Sequence, residues 1–68
     1  MKIDFNWLAK IKSQEVCVYY RPNKKQPEIL IFGTLENFDY SNIFLNKGRN
    51  FRITKIRKID VLGGNNYG

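Results

Sequence analysis

The spacing of apolar residues changes once along the chain. Over residues 4–14, DFNWLAKIKSQ, Phe5, Leu8 and Ile11, with Lys12, recur three and four apart. That spacing predicts a short amphipathic helix. Asp4 stands where an N-cap belongs, and Trp7 lies beside the apolar face. A helix this short has little stability alone and must pack on something. From Glu15 the period is two. Val16, Val18 and Tyr20 fall on one face of a β-branched and aromatic run, with Cys17 and Tyr19 on the other.

The strands that follow are bounded by turn chemistry. RPNKKQPE (21–28) is a polar loop with two prolines. Residues 29–38 read as a second strand, and Gly33 inside it signals a bulge or a sharp bend. Asp39, Ser41 and Asn42 make a turn after Phe38, and 43–45 form a short third strand. Asn46 to Asn50 is a tight hairpin with Gly48 free to take positive φ. A fourth strand starts at Phe51. Ile53, Ile56 and Ile59 then recur every three residues, which a regular strand does not do. One 3₁₀ turn near 54–57 accounts for it, with a fifth strand continuing to Leu62. Five strands this short cover a core only by bending, so the expected fold is mainly β: a short helix, then a five-stranded, strongly bent small barrel. Residues 1–62 form one domain, and GGNNYG (63–68) is read as a disordered tail. Phe5, Trp7, Phe32, Phe38, Phe44 and Phe51 are the expected bulk of the core.

Composition narrows the chemistry. A 68-residue chain has a small core that gains from oligomerisation. With no His and one Cys, structural zinc, an internal disulfide and His-based nucleophilic catalysis are excluded. The six carboxylates are scattered without pairing and no Gly-rich phosphate loop precedes a helix, so a non-catalytic role without cofactor or metal is expected. Cys17 reads as a small buried hydrophobe. Asp4, Asn6, Lys10 and Lys12 keep residues 1–12 from reading as a signal peptide, the longest apolar run is far short of about 20 residues, and a soluble, cytoplasmic protein is expected. The net charge of +6 points to an anionic partner.

Two stretches resemble the motifs of the Sm-like family, and of its bacterial Hfq branch in particular. Gly33-Thr34-Leu35-Glu36-Asn37-Phe38-Asp39 through Leu45 is similar to the first motif, and Phe51-Arg52-Ile53-Thr54-Lys55-Ile56-Arg57-Lys58-Ile59 to the second. Arg52, Ile56 and Ile59 match the Arg and two apolar positions of the latter. The chain departs from the pattern at Ile53, where the family has Gly, at Ile53-Thr54, where Hfq has Lys-His, and at Ser41, where the base-stacking aromatic belongs. The resemblance implies an Sm-like barrel assembled into a six- or seven-membered homo-oligomeric ring, by pairing the fourth strand of one subunit with the fifth of the next. It also implies binding of single-stranded, A/U-rich RNA.

The residues supply matching chemistry. Lys47, Arg49, Arg52, Lys55, Arg57 and Lys58 lie close together with no acid among them, either a solvated face or a phosphate track. Arg21, Lys24 and Lys25 are a second cluster that extends the track or keeps a loop soluble. Tyr40, Ser41 and Asn42 are read as a base pocket beside Arg52 and Lys55: Tyr40 to stack, Asn42 to read a base edge, Arg52 to grip phosphate. The plain alternative for these three is good turn composition. The RNA-contacting set is thus Tyr40, Ser41, Asn42, Lys47, Arg49, Arg52, Lys55 and Arg57. Two other readings stand beside it: a monomeric barrel that docks on an acidic protein through Tyr19 or Tyr20, and a DNA-binding barrel.

Overall fold

The computed structural model describes residues 3–62. The tail expected at 63–68 lies outside the described residues. Helix α1 spans Phe5–Lys10. Asp4 caps it, its Oδ1 accepting the N–H of Asn6 at 2.9 Å. The helix stops at Lys10 rather than running to residue 14, because the next backbone is claimed by a strand. The N–H of Ser13 donates to the Leu35 carbonyl at 2.7 Å, and that of Leu35 to the Gln14 carbonyl at 3.0 Å. Ser13 sits in the left-handed region, φ 75°. Leu8 and Ile11 are buried as expected, and Lys12 is exposed.

Five strands follow: β1 Glu15–Tyr20, β2 Ile29–Phe38, β3 Asn42–Leu45, β4 Arg49–Arg52 and β5 Ile56–Val61, with a 3₁₀ turn at Ile53–Lys55. All pairs are antiparallel, in the order β4-β3-β2-β1-β5. The long strand β2 serves two neighbours. Ile29 to Thr34 pair with β1, and Leu35 to Phe38 pair with β3. The bulge expected at Gly33 falls instead between Leu35 and Asn37, where the register slips.

Gly33 has its own task. A Cβ there would lie 2.5 Å from Arg49 Nη2 and 2.8 Å from Asn46 Oδ1. Those side chains form a latch over the strand. Arg49 donates to the Asn46 Oδ1 (2.8 Å), the Asn46 carbonyl (3.1 Å) and the Phe32 carbonyl (3.1 Å). Asn46 Oδ1 also accepts the N–H of Thr34 at 3.2 Å.

The expected closed barrel is not formed. β4 and β5 are the two edges of the sheet, and among the described residues they do not pair with each other. The 3₁₀ turn joins only the end of one to the start of the other. Three residues rising about 2 Å each bring those ends together. The turn is stitched to both halves of the sheet: the Ile53 N–H donates to the Ser41 carbonyl (2.8 Å), and the Arg21 N–H to the Lys55 carbonyl (2.9 Å). The sheet therefore curls until its edges meet at one corner, without pairing along their length.

The three-residue isoleucine spacing has two causes. The 3₁₀ turn carries the chain from Ile53 to Ile56. A register slip then sets Tyr20 opposite Ile56 but Tyr19 opposite Lys58, which leaves Arg57 as an extra residue. Ile59 is thereby returned to the core face, and all three isoleucines are buried.

The core is aliphatic, contrary to the aromatic core expected. Leu8, Ile11, Val16, Val18, Leu35, Ile43, Leu45, Ile53, Ile56 and Ile59 form it. Phe5, Trp7, Phe38 and Phe51 pack against its margin, Phe44 is half-buried, and Phe32 is 59% exposed. Alternation explains Phe32: it lies opposite Cys17 on the outer face, while Ile31 faces inward. Cys17 is buried as expected. Burial, reinforced by the Asp60 charge and opposed by Lys58, pushes its thiol above the usual range. No helix among the described residues is long and apolar enough to cross a membrane.

The latch predicts that Gly33→Ala displaces Arg49 and Asn46 and breaks hydrogen bonds, a loss of about 1–3 kcal/mol in urea unfolding. Unchanged stability would mean the latch is free to swing aside.

Candidate functional site

The basic stretch at 47–58 does not form one face. Lys47 lies at the tip of the β3–β4 hairpin with φ 66°, and Arg49 is committed to the latch. Arg52 ends β4, roughly 10 Å from Arg49 at a strand's rise per residue, and Lys55 and Arg57 follow it in the 3₁₀ turn and β5. Lys58 is on the outer face of β5, with its Nζ 5.3 Å from the Tyr19 ring centre. Acids from outside the stretch also reach it. Glu28 lies 3.6 Å from Arg57, and Asp60 lies 3.6 Å from Lys58. Both pairs are solvent-exposed and contribute little to stability.

What the fold assembles instead is a groove of about 390 Å³ between the 21–28 loop and the 3₁₀ turn. Arg21, Pro22, Lys24, Thr54, Lys55, Ile56 and Arg57 line it. Each element has a reason to be there. Arg21 follows β1 directly, and its guanidinium folds back onto its own loop, donating to the Lys24 carbonyl (2.6 Å) and the Gln26 carbonyl (3.2 Å). Lys25 is placed on the loop's exposed side, where its N–H donates to Asn23 Oδ1 at 2.9 Å. Lys55 ends the 3₁₀ turn, exposed above Ile53 and Ile56. Arg57 is the extra residue of the β5 register slip, and such positions re-aim side chains out of the ladder. Four cations thus converge on one concave surface with a hydroxyl, Thr54, among them. Arg21 and Lys24 were legible as a cluster that extends the track or keeps the loop soluble; nothing in the chain pattern sets residue 21 beside residue 55.

The expected pocket of Tyr40, Ser41 and Asn42 is a turn held by Asp39. Asp39 Oδ1 accepts the N–H groups of Ser41 (2.8 Å) and Asn42 (2.7 Å), and the Asp39 N–H donates to the Asn42 carbonyl (2.9 Å). Asn42 faces Arg52 across the β3–β4 ladder, and Ser41 accepts from Ile53, so these two do reach the corner. Tyr40 does not join the cations. Its ring meets Phe5 edge-on at 5.3 Å, and with Phe5, Phe38 and Asp39 it lines a separate notch of about 320 Å³.

The two neighbouring tyrosines of β1 separate as alternation requires. Tyr20 packs on the core margin with Phe51 at 5.0 Å. Tyr19 faces outward and donates to Asp60 at 2.9 Å, and this bond, with the carboxylate's charge, holds its hydroxyl above the usual tyrosine range.

Asp39→Ala removes the acceptor for two N–H groups and is expected to cost about 1 kcal/mol in thermal or urea unfolding, with Asp39→Asn close to neutral. Equal losses for both substitutions would assign the effect to charge rather than to the turn. No protein-family model, curated protein or solved structure matches this chain.

Proposed function

We propose that this protein binds single-stranded nucleic acid, RNA before DNA, without catalysing a reaction on it. The observation that supports this reading is the convergence of Arg21, Lys24, Lys55 and Arg57 on one groove. Among the described residues, Glu28 offsets only Arg57 of these like charges; the repulsion that is left is relieved by phosphates, which also release condensed counterions. Arg52, beside Asn42 at the same corner, extends the surface. Lys47 and Arg49 are left out of the contact set because neither lines the groove: Lys47 is at the far hairpin tip, and Arg49 lies in the latch against β2. Tyr40 is left out because it sits with Phe5 and Phe38.

The resemblance to the Sm-like family favours RNA, and it favours a homo-oligomeric ring. The strands through which that family's rings join are the fourth and fifth, and β4 and β5 are the two edges of this sheet. Unpaired edges next to a small core benefit from a neighbouring subunit.

Titration of a short labelled A/U-rich RNA tests the groove. Four neutralised phosphates give a log–log salt slope near −3, about a fiftyfold loss of affinity from 50 to 200 mM salt. Lys55→Ala combined with Arg57→Ala flattens the slope by about 1.4. Wild-type affinity in that double variant would remove the proposed interface. Equal or tighter binding of the matching DNA would reassign the substrate.

Size measurement at micromolar concentration tests the ring, with a six- or seven-fold assembly expected. A monomer of about 8 kDa would overturn the ring and leave the groove standing.

A second reading rests on the outer face of β1 and β2. Tyr19 stands opposite Leu30 there, and Cys17 opposite Phe32; Leu30 is 51% and Phe32 59% exposed. An apolar patch rimmed by charge suits a protein partner. Absence of RNA and DNA binding even at low salt would favour that reading.

A further inference from the structure

The notch beside the start of α1 has the opposite electrical character to the groove. Phe5, Phe38, Asp39 and Tyr40 line it: three aromatic rings, one carboxylate and, among the described residues, no Lys or Arg. That is a departure in a chain of net charge +6. Phe5 and Phe38 lie within 25° of parallel with centres 6.0 Å apart, while Tyr40 is inclined at 76° to Phe5. The three rings thus lie in two orientations at the notch, two roughly parallel and one set across them. Tyr40 is 88% exposed, so most of its surface is left to solvent or to a ligand. Asp39 is held in place because its Oδ1 takes two backbone N–H groups. Among the described residues it forms no ion pair.

We propose that this notch is a binding site for a compact organic cation of the alkylammonium class. Aromatic faces carry the negative part of the ring quadrupole, and an ammonium set over them is attracted. The carboxylate at the same notch supplies the counter-charge. Other ligands fit less well. A nucleotide would bring its phosphate against Asp39. A plain hydrocarbon would desolvate the carboxylate and gain nothing from it. A methylated ammonium suits both parts of the lining, being less strongly hydrated than a primary one, and a volume of about 320 Å³ holds one such head group. The chemistry is shared by a free cation such as choline and by a methylated lysine side chain of a polypeptide. This site does not depend on the nucleic-acid reading.

The test is a titration of the full chain followed by NMR, using choline and its uncharged isostere 3,3-dimethylbutanol. Choline is expected to shift the Phe5, Phe38 and Tyr40 ring signals saturably, and the isostere to bind at least fivefold more weakly. Tyr40→Ala weakens choline about fivefold to tenfold, and Tyr40→Phe restores it. Asp39→Asn, which keeps the oxygen that holds the turn, weakens choline and leaves the isostere unchanged. A trimethyllysine peptide binding tighter than choline identifies a polypeptide source, and the reverse order a free cation; either supports the site. Equal binding of choline and the isostere would overturn the proposal, as would the absence of saturable shifts with both cations.

Discussion

Where β2 passes from β1 to β3, two side chains close over a glycine. Arg49 and Asn46 lie across Gly33 closer than any Cβ tolerates, and they hold the carbonyl of Phe32 and the N–H of Thr34. That junction is where the strand changes partners. One strand thereby serves two half-sheets, and inward residues from both, Val16 and Val18 on one side, Ile43 and Leu45 on the other, reach a single aliphatic core with Leu8 of the helix. A flat sheet would leave one face of those residues in water, and a chain this short has no second layer to cover them.

The same curl builds the basic groove. Because the sheet folds over, the ends of β4 and β5 meet at a three-residue turn, and the end of β1 is hydrogen-bonded to that turn through Arg21 and Lys55. Cations far apart in the chain become neighbours, while cations close in the chain are dispersed: one to a hairpin tip, one into the latch, one onto the outer face. Arg49 shows why a charge run is a poor guide to an interface. A guanidinium has five donors, and carbonyls that lie beside it in the fold, here those of Phe32 and Asn46, take up some of them.

Two surfaces of opposite sign result on a molecule of modest size. The groove gathers four cations around Thr54; the notch sets three aromatic rings around one carboxylate. Between them runs the Asp39 turn, whose backbone is tied to the 3₁₀ corner by Ser41 and Ile53. The turn residues act as rigid spacers, with Asp39 supplying both the turn's acceptor and the charge at the notch.

Local pattern carried most of the elements. The N-cap at Asp4, the bounds of β2 at Ile29–Phe38, the hairpin after Leu45 and a 3₁₀ turn near 54 all follow from residue chemistry within a few positions. The burial of Cys17 was legible in the same way, as was the three-residue spacing of Ile53, Ile56 and Ile59 that marks the 3₁₀ turn. What the chain pattern left open was long-range. The helix is cut at Lys10 because Leu35 claims Ser13 and Gln14; the barrel stays open because the 3₁₀ turn joins only one end of each edge strand; the aromatics stay at the margin because alternation sends Phe32 outward and aliphatic residues fill the interior. The groove, the latch and the notch belong to this second class. Each unites segments that periodicity treats separately, and hydrogen bonds between distant strands, absent from any local window, decide which side chains meet.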